Sequence, residues 1–581
     1  MKIYIRQGGP PLSAPLANPL GGFTFNGAWT GNKGWPGQPG SEGNAFADFL
    51  LGTANTSNYA IALTEEQAAS RDWEVYAQDT RQASPRLTIN FGMRYVYRTP
   101  WQFRDNRVSY FDLAHNRLAI PQDSDTLTAP PLAVTRLMNA YPMETTKQAG
   151  WPLSYFERDK NNFGPRFGFA YRPFARNSTV FRGGWGVFYN FIPGYIGQFE
   201  NQFNPPWRDG LNFSSLLPGK PVAPFLPDIT FADPFPSGGI NAPPANPQIY
   251  MTERNNVNPV VQQWNFTVEQ KLAQNWMARV SYVGARTHHQ IWYAHDINRP
   301  DVQEPNVPLQ AQRPYQPWQQ ILDTHTGGHV NFTQVQLELV KRFANGLSFQ
   351  AEYAFTRSLD STPNSGGPQN PHNFNADYGN SRDVPRQQLV LNYLYALPVG
   401  KGQRWMNRSG ALDAVLGDWG ISGITFYRTG SPFSVGFSVP SSIVGWWGGR
   451  ADAVAGASPY LPKTGSHDIV NGVPYFNVAA FAPPAPWQWG NAAYNSMYGP
   501  GAWNYDIGIR KYFNLFGAES HRLQFRAELL NALNHFNLGN PSATIADTRD
   551  GGLPNTNAGK IFGGSTYLNN RIVQLSMRYM F

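Results

Sequence analysis

The chain has 581 residues, of which 41% are hydrophobic, 14% aromatic and 14% charged, with a formal net charge of +8 and no cysteine. The missing cysteine excludes disulfides, cysteine-ligated zinc, iron–sulfur clusters and thiol nucleophiles. Mean hydropathy is −0.43 and no apolar run reaches the roughly 20 residues of a membrane-crossing helix. A helical membrane protein is thereby excluded. A strand-built one is not, because a strand meets lipid with alternate residues only.

The basic residues are scattered rather than clustered, so no nucleic-acid partner is expected. The charged fraction lies well below the roughly 25% of soluble domains. The 38 Phe, 28 Tyr and 18 Trp suit aromatic girdles at two membrane interfaces.

The chain opens with Met1-Lys2-Ile3-Tyr4-Ile5-Arg6 and turns Gly/Pro-rich. This stretch has neither the apolar core nor the cleavage site of a signal peptide. Residues 1–19 are read as an irregular N-terminal segment.

From residue 20 onward, alternation of period two predicts about 14 strands. They fall near 20–30, 71–80, 85–97, 162–172, 178–189, 261–271, 276–287, 332–342, 347–357, 387–397, 417–429, 503–512, 521–531 and 571–581. Between Arg86 and Tyr97, for example, Leu87, Ile89, Phe91, Met93, Tyr95 and Tyr97 share one face, against Arg86, Thr88, Asn90 and Arg94 on the other. The last strand sets Val573, Leu575, Met577, Tyr579 and Phe581 against Gln574, Ser576 and Arg578.

Short links, such as 81–84, 272–275 and 343–346, alternate with long ones at 98–161, 190–260, 288–331, 358–386, 431–502 and 532–570. A soluble sandwich shows the same alternation, but with strands of about 5–6 residues. Strands of about 9–11 residues cross a bilayer at a tilt. The pattern therefore predicts an all-β fold, an antiparallel transmembrane β-barrel portion with short periplasmic turns and long extracellular loops. An even strand count puts both ends of the ladder in the periplasm.

Several segments, in order, resemble the TonB-dependent transporters of the outer membrane, in the branch similar to the Oar protein. They are NAFADFLLG (44–52), YAQDTRQASPRLTINFGMRYVYR (76–98), ADYGNSRDVPRQQLVLNYLYALPVGKG (376–402), WGISGITFYRTGSPFSV (419–435), YGPGAWNYDIGIRKYF (498–513) and LQFRAELLNALNHFNLGNP (523–541). The resemblance implies that residues 20–581 are the C-terminal portion of a barrel. Members of that class have a signal peptide, a plug and 22 strands, so the plug and the first strands are expected outside this sequence.

The resemblance further implies energised uptake of a ligand such as a peptide or glycan. Outer-membrane lipid and the barrel-assembly machinery are the implied partners, with the TonB complex engaged only through the plug. A passive pore or surface-adhesion barrel is one alternative, and an extracellular carbohydrate-binding protein another.

No Walker loop, HExxH or GxSxG is present, so no enzyme, cofactor or metal site is assigned. Gly183-Gly184-Trp185-Gly186 reads as a bent strand with close backbone approach. His288 and His289 are adjacent at a strand end, so they are expected to point to opposite faces. Asp360, Asp377 and Asp383 share a loop with Arg357 and Arg382; they are expected to form ion pairs that order it, with a cation site as the alternative. Glu65-Glu66 is read as a solvated loop charge pair.

Trp207, Trp446, Trp447, Trp487 and Trp489, with Arg450, fall in external loops, where exposed indoles stack on sugars or grip peptides. The more ordinary reading of such indoles is interfacial anchoring or loop–loop packing; these six are nonetheless the ligand-contact candidates. By resemblance, Met577, Tyr579 and Phe581 form the barrel-assembly signal.

Overall fold

The computed structural model describes residues 2–7, 21–27, 29–30, 43–62, 68–131, 133–174, 178–191, 199–214, 229–235, 246–300, 307–361, 368–438, 449–462, 468–485, 488–515, 521–547, 553–565 and 570–581. Among them the largest sheet has 17 strands, three of which (Gln102–Phe103, Ile249–Thr252 and Gly379–Asn380) are short pieces at its outer ends, leaving 17 − 3 = 14.

The first seven are β1 (Lys2–Gln7), β2 (Ala68–Ser84), β3 (Leu87–Arg98), β4 (Phe163–Tyr171), β5 (Thr179–Tyr189), β6 (Val260–Ala273) and β7 (Trp276–Asp296). The other seven are β8 (Ile321–Ala344), β9 (Leu347–Asp360), β10 (Gln387–Ala396), β11 (Trp419–Arg428), β12 (Ala502–Asn514), β13 (Arg522–Leu530) and β14 (Ile572–Met580). Each strand pairs antiparallel with the next along the chain, from β1–β2 through to β13–β14. Among the described residues no register joins β14 back to β1 or β2.

Two expectations need correction. The predicted first strand at 20–30 is not in this ladder: Gly22–Thr24 pairs with Thr56–Ala62, which pairs with Arg208–Ser214, in a separate small sheet. The stretch expected to be irregular supplies the edge strand instead, with Lys2 opposite Glu74 and Gln7 opposite Ala69. Its alternation, Ile3 and Ile5 against Lys2, Tyr4 and Arg6, is only a few residues long and is followed by glycine and proline, which masked it.

The second correction concerns the loop expected at 288–331. The β7–β8 ladder continues into both of its ends, reaching Asp296 opposite Leu322. Register shifts lie between Thr287 and Gln290, Gln290 and Ile291, and Trp292 and His295. His289 takes a positive φ of 58°. Bulges break strict alternation, so a period-two reading stops at the first one, and the opposite-face argument for His288 and His289 does not apply inside it.

The registers bring large apolar residues together on one face. Phe91 faces Phe167, Tyr282 faces Val335, and Val335 faces Phe355. These side chains are left 38–50% exposed, as a lipid-facing belt requires. Gly183 and Gly284 lie under the Phe169 and Trp264 rings on this belt, where a Cβ would come within 2.3 Å of ring carbons.

The other face is polar and bonded across strands. Arg279 Nη1 lies 2.6 Å from Glu338 Oε2. Gln350 donates to Glu338 at 2.8 Å, and Gln334 to Thr356 at 2.8 Å. The Thr267 and Ser281 hydroxyls meet at 2.9 Å.

Leu337 is 43% exposed on the apolar face, and its neighbour Gln336 faces the polar side. Leu337→Arg is expected to destabilise the inserted protein by about 2–4 kcal/mol. Gln336→Arg is expected to be nearly neutral. Urea titration in lipid vesicles, followed by heat-modifiable gel migration, measures both.

Candidate functional site

The long links fold into structures of their own at the outer ends of the strands. One core joins three of them, packing Phe111, Leu118, Ile120, Leu137, Tyr141, Met143, Trp207, Ile249, Trp318 and Ile321. A second core gathers Phe433, Val435, Phe437, Phe476, Phe481, Met497 and Ile545 from the last two. Burying this much apolar area is what orders segments of such length, since long loops otherwise leave their backbone entropy unopposed.

The ligand-contact candidates are dispersed by this folding. Trp207 is only 3% exposed, and its Nε1 donates to Ser109 Oγ at 2.9 Å. It is a core residue and presents no face to a ligand. Arg450 is 7% exposed and is spent inside the fold. Its Nη1 pairs with Asp377, its Nε donates to Ala492 O at 2.8 Å, and its Nη2 donates to Ala376 O at 3.0 Å. Burial lowers the guanidinium pKa to about 10, still charged at neutral pH. Trp489 is half-buried and carries the Arg299 guanidinium 5.1 Å from its ring centre. Trp446, Trp447 and Trp487, like Glu65-Glu66, lie outside the described residues.

The acidic loop orders itself through different partners from those expected. Asp377 pairs with Arg450 rather than with Arg357 or Arg382, and accepts from Gln369 N at 2.7 Å. Gln369 in turn accepts from Arg450 N at 2.6 Å and donates to Gly490 O at 3.0 Å. His372 meets Arg299 O at 2.9 Å. This loop therefore joins the 288–331 link to the 431–502 link.

Two groups of imidazoles and carboxylates emerge that the sequence reading did not assemble. His295 on β7 lies directly opposite Asp323 on β8, and His325 follows two residues later. Asp323 Oδ2 lies 2.7 Å from His325 Nδ1 and 3.4 Å from His295 Nε2. Burial lowers the His295 pKa to about 4 despite Asp323, so the ring is neutral at physiological pH. Phe374 stacks on Trp292 at 3.9 Å and stands edge-on to both imidazoles.

The second group is Asp112, His115 and Glu144. His115 Nδ1 lies 2.8 Å from Asp112 Oδ2, and that hydrogen bond raises the imidazole pKa. Burial raises the Glu144 carboxyl pKa. The D-x-H spacing at 323–325 was the sequence signal available. Its partner, His295, comes from 28 residues earlier through a bulged ladder.

Long antiparallel strands, apolar outside and hydrogen-bonded charge within, define a transmembrane β-barrel class of protein. The family model described as outer membrane beta barrel domain matches residues 13–574, and the chain belongs to that family. It is a barrel of the bacterial outer membrane and not an enzyme.

None of the curated proteins matches it significantly. Similar solved structures include FpvA of P. aeruginosa in complex with a heterologous pyoverdine and iron, at 10% identity and a TM-score of 0.41, covering 89% of this chain and 39% of that one. The outer membrane transporter YddB from Escherichia coli is similar at 11% identity and a TM-score of 0.35, covering 90% and 54%. The ferric-catecholate import receptor Fiu from E. coli K12 gives 8% and 0.38, covering 90% and 50%. This chain thus spans about half or less of their length, and likenesses this distant carry no function across.

Asp377→Ala leaves Arg450 buried without its counter-ion, a change that costs about 3–5 kcal/mol in buried pairs. Limited proteolysis on intact cells is expected to show cleavage of the external assembly rising accordingly, with the barrel's heat-modifiable migration unchanged. Asp383→Asn is the control: Asp383 is exposed at φ 65°, a conformation that asparagine tolerates.

Proposed function

We propose that the chain forms the barrel of a TonB-dependent receptor, taking up a peptide- or glycan-sized ligand captured by its external loops. The polar inner face supports this reading most directly. Arg279, Glu338, Gln350 and Glu352 form a hydrogen-bonded wall, suited to a polar cargo or to a plug domain of the kind those receptors carry. The ordered set of segments that resembles the class, from Asn44 to Pro541, supports it independently.

Energy coupling would run through such a plug, and the barrel itself performs no covalent chemistry. Trp489, with the three tryptophans outside the described residues, stays in the proposal as a ligand contact. The apolar belt is proposed to meet outer-membrane lipid. Met577, Tyr579 and Phe581, exposed at 72%, 46% and 92%, are proposed as the strip read by the barrel-assembly machinery.

Import of fluorescent oligopeptides and oligosaccharides, measured in hosts with and without TonB, tests the reading. Surface binding is expected to persist and import to stop without TonB. Equal import in both hosts would instead favour a passive pore. Deleting Phe581 is expected to remove most of the heat-modifiable form from the outer membrane, with undiminished synthesis seen on whole-cell blots.

A further inference from the structure

We propose that His295, Asp323 and His325 bind one divalent transition-metal ion, with zinc as the reference, at the outer end of the β7–β8 ladder. Each residue offers a ligand atom, and the three atoms lie within 4.8 Å of one another. Two neighbouring strands supply them, so the backbone register fixes their spacing.

Tetrahedral zinc, with bonds of about 2.0–2.1 Å, places its ligand atoms about 3.3 Å apart. The 3.4 Å between His295 Nε2 and Asp323 Oδ2 already meets that requirement. The 2.7 Å between His325 Nδ1 and Asp323 Oδ2 is a hydrogen bond. It has to widen by about half an ångström when a metal ion replaces the shared proton.

A second observation points to a ligand. The second carboxylate oxygen, Asp323 Oδ1, has no hydrogen-bond partner, although the side chain is only 8% exposed. Buried polar atoms are rarely left so, because each costs its desolvation. A cation held at the carboxylate offsets that cost.

The surroundings suit a bound ion. Trp292, stacked with Phe374, walls the imidazoles with rings and restrains them. The His325 side chain, 20% exposed, leaves an edge open for entry. Two imidazoles and one carboxylate favour zinc and its neighbours over calcium or magnesium, which take oxygen donors. Three protein ligands leave one coordination position for water or for a donor group on a passing ligand.

The test uses the purified full chain in detergent micelles, its fold checked by heat-modifiable migration, and cobalt(II) chloride as the probe. Saturable visible d–d absorption that zinc displaces is expected. His325→Ala and Asp323→Asn are each expected to weaken binding about tenfold or more. Asp323→Asn keeps the side chain's shape, and His325 is the most open of the three, so the fold is expected to survive in both. His115→Ala, in the other cluster, is expected to leave the spectrum unchanged. No saturable uptake, or uptake retained in both variants, overturns the proposal. Loss of the spectrum in His115→Ala alone also overturns it, by moving the ion to the Asp112 cluster.

Discussion

Inside a bilayer no water is available to pair an exposed N–H or C=O, so each must find its partner on a neighbouring strand. The rest of the structure depends on that constraint. It sets strand length, because the ladder has to persist across the hydrocarbon. It sets alternation, because a fixed register sends every second side chain to lipid. It also makes the strand edges informative. β1 pairs with β2 only over residues 69–74. Beside that register β2 alternates between buried and exposed positions, and from Val75 to Ser84 it is exposed throughout.

Beyond the bilayer the constraint relaxes, and the chain behaves differently. β7 and β8 run 21 and 24 residues, well past what a crossing needs, and their outer halves carry the register shifts. Water can satisfy a bulged residue there, whereas lipid cannot. The loops solve a different problem, that of ordering long segments without a continuous sheet. They do so with aromatic cores: Trp318 is fully buried, with Phe111 edge-on at 5.8 Å and Tyr141 at 5.6 Å. An indole in an external loop is therefore as good a core residue as a ligand contact, and Trp207 was used as core.

This contrast explains which parts of the molecule were legible in the sequence. Strands such as Leu87–Arg98, Leu347–Asp360 and Ile572–Met580 were readable because strict period two persists in them over a long run. β1 was not, because six residues hold too few periods to stand out from a Gly/Pro-rich stretch. The outer halves of β7 and β8 were not, because bulges reset the phase. The Asp377–Arg450 pair and the His295–Asp323–His325 group join residues 73 and up to 30 positions apart. Composition and spacing cannot reveal such contacts, since the register of one ladder and the packing of one loop create them.

The loop between β9 and β10 shows how the two regimes connect. Both its ends are fixed by strands held in register by their ladder, with Phe355 opposite Gln387. Its turn at Phe374–Asp377 then does two things within four residues. Phe374 covers the imidazoles on β7 and β8, and Asp377 neutralises the buried Arg450 of the second core. One short turn thus contacts the outer ends of β7 and β8 and the 431–502 link. Displacing Phe374 from the histidines shifts the backbone that carries Asp377, and a carboxylate that leaves Arg450 strands a buried charge. The cost of that separation ties the β9–β10 link to the 431–502 link.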